Sequence, residues 1–127
     1  MSFSDKQISL MYTLLLLAIQ AFERRDFRSA IVLGGISLEI CVLEKIEKVA
    51  KQDNRKIKYP IGELGKKYDL AKKLHISFPI KNVKDDIIRF RNDVIHKGKE
   101  VNEEEARMFL LSVRTILFDF QPEMLEQ

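Results

Sequence analysis

The longest helical pattern in the chain is the segment Asp26–Lys51, DFRSAIVLGGISLEICVLEKIEKVAK. Its apolar residues recur at steps of three, four and seven, the spacing that places side chains on one face of an α-helix. These residues include Ile31, Leu38, Cys41, Val42 and Ile46. An apolar face of this length has to be buried against other elements. The segment therefore predicts one long helix packed inside a larger fold.

Four further helices are predicted around this segment. They run from about Ser4 to Arg24, from about Ile61 to Leu74, from Pro79 to about Lys97, and from Asn102 towards the C-terminus. Ser4 and Gln7 have the spacing of a capping box, and the acidic residues after Asn102 suit the positive end of a helix dipole. The polar stretch Asp53–Tyr59, followed by Pro60, predicts a loop. The expected fold is an all-α antiparallel bundle of about five helices, forming one domain over residues 1–127.

The composition supports this fold and excludes several kinds of site. Only 5 Gly and 3 Pro occur in 127 residues, too few for the frequent turns of an all-β domain. The single cysteine, Cys41, excludes an intramolecular disulfide, and with 2 histidines the chain cannot assemble a Cys/His zinc site alone. The apolar run Leu10–Ile19 is too short to span a bilayer. We expect a cytoplasmic protein with no membrane contact, no metal and no cofactor.

Charge is distributed unevenly along the chain. Residues 51–99 contain 14 basic and 6 acidic side chains, a net charge of +8, whereas residues 100–127 contain 2 and 7, a net charge of −5. A concentrated basic block is typical of a surface that binds a polyanion, although a solvated cluster of lysines has the same composition.

Arg91 occupies an unusual position in the predicted fourth helix. On a helical wheel it lies inside the apolar arc, between Val94 on one side and Ile95 on the other. A guanidinium among apolar side chains is costly unless it is paired with an acid or faces a solvated cleft. Glu39 lies within the apolar run Ile36–Leu43 and is equally misplaced. This double anomaly predicts a Glu39–Arg91 ion pair.

Asn92 and His96 lie close to Arg91 in the sequence, and both have side chains that can take part in catalysis. They are four residues apart, so their side chains are adjacent on one face of the helix. Histidine is the residue type best suited to acid–base catalysis near neutral pH. A lone histidine at a helix end can also be a simple C-terminal cap. The combination of arginine, asparagine and histidine inside a basic block favours a functional site.

The segment Arg91–His96, RNDVIH, resembles the signature of the HEPN superfamily, which is an arginine, commonly followed by a polar residue, and a histidine after four to six intervening residues. The pattern of Phe27–Ile40 also resembles the second helix of that superfamily. Arg89 also precedes His96 at a permitted spacing, with six residues between them. Either Arg89 or Arg91 can therefore supply the arginine of the motif. Asn92 directly follows Arg91 and favours Arg91. The resemblance implies an all-α fold and a homodimer in which both copies of the motif line one cleft.

The resemblance also implies a reaction. Many members are metal-independent endoribonucleases of toxin or phage-defence systems, and their products end in a 2′,3′-cyclic phosphate. In that case His96 is the acid–base group, Arg91 stabilises the phosphate oxygens, and Asn92 orients the phosphate or the imidazole. Glu39 and Arg89 would support them, and Arg55, Lys56, Lys58 and Lys97 would bind RNA. A cognate antitoxin is a further expected partner.

Two other interpretations remain open from the sequence. The chain can be a catalytically silent HEPN-like module that binds RNA, a nucleotide or a protein through the same cleft. It can also be a purely structural helical dimer. The enzyme requires His96, the silent module requires the basic cleft but tolerates loss of His96, and the structural dimer tolerates loss of both.

Overall fold

The computed structural model describes residues 3–122, with side chains from residue 6 onward. The helices are α1 (Phe3–Glu23), α2 (Phe27–Gln52), α3 (Leu64–Lys73), a π-helical segment (Val83–Arg89) that continues directly into α4 (Phe90–Lys97), and α5 (Glu103–Phe120). No β-strand occurs among these residues, so the prediction of an all-α bundle of about five helices is confirmed for this part of the chain. The side chain of Ser4, the expected cap, lies outside the described residues.

The long helix α2 lies at the centre and packs against α1, α3, α4 and α5. The Ser37 hydroxyl donates a hydrogen bond of 2.8 Å to the Met11 carbonyl, which ties α2 to α1. At Gly34, an added Cβ would lie 2.9 Å from the Leu110 side chain, so the glycine allows α5 to approach closely. Cys41 is completely buried, and this burial raises the pKa of its thiol. The cysteine is therefore an inert core residue, as expected.

Two helices begin later than the sequence pattern predicts. Helix α3 starts at Leu64 instead of Ile61, because Gly62 adopts a φ of +106°, which a helix cannot accommodate. The fourth helix starts at Val83 instead of Pro79, because Asn82 adopts a left-handed conformation with φ of +58°. Its first turns are π-helical, so a wheel drawn with α-helical spacing is valid from Phe90 onward but not before.

No helix among residues 3–122 combines the length and the apolar character that crossing a membrane requires. The apolar run at Leu10–Ile19 lies inside α1 instead. Its residues Met11, Leu15 and Ala18 are buried in the core shared with α2 and α5. Packing within the bundle thus explains these three residues, whereas Leu10, Leu16 and Leu17 of the same run are 48%, 41% and 42% exposed.

The N-terminus of α5 provides a direct test of local stabilisation. The Asn102 side chain accepts a hydrogen bond of 2.8 Å from the Glu105 backbone N–H, and the Glu105 carboxylate accepts one of 3.2 Å from the Asn102 N–H. We expect Asn102→Ala to lower the free energy of unfolding by about 1 kcal/mol, the usual value of such a cap. Urea denaturation measures this loss. Glu100→Ala, an exposed change just before the cap, is the control, and equal losses in both variants would contradict the assignment.

Candidate active site

Arg91 lies in α4 where that helix crosses α2. Its side chain is only 13% exposed and passes directly over Gly35. A Cβ at position 35 would lie 2.7 Å from Arg91 Nε and 3.0 Å from its Cδ. These distances are too short for any residue larger than glycine unless the arginine moves. Gly35 therefore gives Arg91 the space in which its side chain lies.

The predicted ion pair between Glu39 and Arg91 is present. Arg91 Nη2 lies 3.4 Å from Glu39 Oε2, and Nη1 donates a hydrogen bond of 3.3 Å to Asn92 Oδ1. Both distances exceed the usual range of about 2.7–3.2 Å for an N–H···O hydrogen bond. Arg91 Nε is buried and has no hydrogen-bond partner among the described residues. The guanidinium is thus held loosely, with one donor still to be satisfied.

Lys67 of α3 also contacts Glu39. A role for Lys67 was not predicted from the sequence. Lys67 Nζ lies 2.9 Å from Glu39 Oε1 and donates a second hydrogen bond to the Gly62 carbonyl. Its side chain is 12% exposed. The sequence spacing could have indicated this position of Lys67, because the lysine lies three residues after Leu64 and four before Ala71, which are both apolar and buried. The lysine therefore occupies the apolar face of its helix, like Arg91 on α4.

The arginine cluster, defined as Glu39, Lys67, Arg91 and Asn92, has an unbalanced charge. It contains two cations and one carboxylate, and the cation side chains are 12% and 13% exposed. Electrostatic interactions are stronger in such partly buried surroundings than in water. One positive charge is left without a partner in the cluster. This excess charge makes the cluster suited to binding an anion.

Asn92 and His96 line a surface groove with a volume of about 400 Å³. The imidazole of His96 is exposed and has no hydrogen-bond partner among the described residues. Arg91 does not line this groove, but its hydrogen bond to Asn92 joins the arginine cluster to it. The full lining is Gly65, Lys84, Ile88, Arg89, Asn92, Asp93, His96 and Lys97.

The cations of the groove are paired with nearby acids. Lys84 lies 3.3 Å from Asp69, Arg89 lies 3.1 Å from Asp85, and Lys97 lies 3.4 Å from Asp93. All three cations are more than half exposed, so these pairs contribute little to stability. Each of these cations can therefore leave its carboxylate at low cost. The groove thus offers three exchangeable cations beside His96.

The predicted site residues fall into three places. The arginine cluster brings together Arg91, Asn92 and Glu39, whereas the groove contains Asn92, His96, Arg89 and Lys97. The basic residues Arg55, Lys56 and Lys58 are exposed in the loop between α2 and α3 and do not line the groove. This loop ends near Gly62, whose carbonyl is bound by Lys67. The loop is therefore attached to the arginine cluster through one lysine.

Among the described residues, no three His, Cys, Asp or Glu side chains lie close enough together to hold a metal ion. Comparisons of the chain with family models, with curated proteins and with solved structures find no match.

Proposed function

We propose that this chain is a metal-independent endoribonuclease of the HEPN type. One observation supports this function above all others. A cationic cluster with an unsatisfied arginine donor is joined, through Asn92, to a groove that carries an exposed histidine. A phosphodiester of RNA supplies the anion that the cluster lacks, and the histidine supplies the proton transfer. The biological context we propose is a toxin or a phage-defence component, controlled by an antitoxin.

The reaction assigned to these residues is an internal transesterification. The 2′-oxygen forms a bond to the adjacent phosphorus, and the bond from phosphorus to the 5′-oxygen breaks. A base accepts the proton of the 2′-hydroxyl, while an acid donates a proton to the departing 5′-oxygen. His96 fills one of these roles, and Arg91 stabilises the charge that develops on the non-bridging oxygens. The products end in a 2′,3′-cyclic phosphate and a 5′-hydroxyl.

One histidine cannot serve as acid and base at the same moment, so we propose a homodimer with a composite site. An apolar surface on α1 and α2 is suited to the contact between subunits. On this surface Leu10, Leu17 and Ile36 are 48%, 42% and 38% exposed. Ile36 directly follows Gly35, the residue against which Arg91 packs.

Cleavage of total RNA or tRNA in EDTA tests the proposal. We expect the wild type to cleave and its products to carry 2′,3′-cyclic phosphates. Arg91→Ala is expected to slow cleavage by about 10²–10³-fold, the effect of removing one donor to a developing charge. Arg89→Ala is expected to have a much smaller effect, because the Arg89 side chain is 69% exposed and water screens its charge.

Each variant has to be folded and of the same oligomeric state as the wild type. If Arg89→Ala abolishes cleavage and Arg91→Ala does not, the phosphate contact belongs to Arg89. If the wild type cleaves none of a diverse set of RNAs, the nuclease assignment is wrong.

The alternative function is a catalytically silent module that binds RNA, a nucleotide or a protein. The observation in its favour is that none of the described residues holds the His96 imidazole in one orientation. Catalytic histidines are commonly oriented by a second group. This alternative predicts salt-sensitive RNA binding without cleavage, and binding that is unaffected by His96→Ala.

A further inference from the structure

We propose that Lys67 is a positioning residue that keeps Arg91 available to an anion by occupying half of the Glu39 carboxylate. This inference rests on the proposed function, because it concerns the arginine that would contact the scissile phosphate. Lys67 lies outside the motif and does not line the groove. Its effect on an anion is transmitted through Glu39.

The two cations share Glu39 unequally. Lys67 Nζ lies 2.9 Å from Oε1, whereas Arg91 Nη2 lies 3.4 Å from Oε2. The attraction between charges grows as their distance falls, so Lys67 takes the stronger of the two contacts. Both cations are shielded from water, with 12% and 13% of their side chains exposed. Arg91 consequently shares only part of the carboxylate, and its Nε–H, buried against Gly35, has no partner among the described residues.

Removing Lys67 would change this balance. Arg91 would then be the only cation of the cluster, and its planar guanidinium is well suited to binding both oxygens of a carboxylate. Such a closed pair would neutralise Arg91 and occupy the donors that an anion needs. Lys67 is itself fixed in place, because Nζ also donates to the Gly62 carbonyl. The lysine thus competes continuously for Glu39.

A double-mutant cycle tests this competition. Lys67→Met is prepared in the wild type and in the Glu39→Gln background, and inorganic pyrophosphate is titrated while the Arg91 Nε–H resonance is followed by NMR. In the wild type we expect Lys67→Met to weaken binding by about tenfold or more, equivalent to one charge-assisted hydrogen bond. In the Glu39→Gln background we expect it to weaken binding by less than about threefold, because no carboxylate remains to capture Arg91.

The matched control is Lys66→Met, which removes a charge from the exposed neighbouring position. Thermal unfolding establishes that each variant is folded, and Lys67→Gln replaces Lys67→Met if the latter is not. An equal loss of affinity in both backgrounds would mean that Lys67 acts only through its charge, and the inference would be wrong. If the Arg91 resonance does not respond to pyrophosphate in the wild type, the anion site of the proposed nuclease is wrong as well. If the resonance responds but the effects of Lys67→Met and Glu39→Gln on affinity are additive, only the proposed role of Lys67 is wrong.

Discussion

Replacement of His96 by alanine is expected to slow RNA cleavage by about 10²–10⁴-fold, the usual contribution of a general acid or base. The imidazole is exposed and bonded to none of the described residues, so its removal leaves the packing of the bundle intact. We therefore expect the free energy of unfolding to stay within about 0.5 kcal/mol of the wild-type value. Single-turnover cleavage and urea denaturation measure the two quantities.

The second histidine of the chain provides the control. His75 is also exposed, but it follows α3 and does not line the groove. Because its φ is +62°, the suitable replacement is asparagine, which tolerates this conformation. His75→Asn is expected to cleave RNA at the wild-type rate. Full activity in His96→Ala would remove His96 from the mechanism, and equal losses in both variants would indicate an indirect effect.

Glu39→Gln is expected to lower the free energy of unfolding by about 2–4 kcal/mol. Breaking a fully buried pair costs about 3–5 kcal/mol, and the estimate is reduced here because Glu39 is 27% exposed. The cost is large because the change leaves two poorly hydrated cations, Lys67 and Arg91, facing each other without a carboxylate. Glutamine retains the shape of the side chain, so the effect reports on charge.

Urea denaturation at constant ionic strength measures the loss caused by Glu39→Gln. Glu23→Gln, at an exposed glutamate near the end of α1, is the control and is expected to have little effect. Unchanged stability would show that the Glu39–Arg91 contact contributes nothing in solution.

Local sequence pattern was sufficient to predict most of the secondary structure. Helices α2 and α5 begin within one residue of the predicted positions, since apolar spacing and the caps at Asp26 and Asn102 are properties of a few consecutive residues. The predictions were less accurate before α3 and α4. There the start depends on left-handed conformations at Gly62 and Asn82 and on a π-helical turn, which apolar periodicity does not reveal.

The pairing of Arg91 with Glu39 was also predictable, because a charged residue inside an apolar arc needs a partner and Glu39 lies within the apolar run Ile36–Leu43. The sequence pattern did not show that Lys67 shares this carboxylate. It also did not show that His96 lines a groove, whereas Arg91 is not part of its lining and packs against Gly35. The physical reason is that periodicity describes one helix at a time. The distances between α2, α3 and α4 depend instead on how residues far apart in the chain pack together.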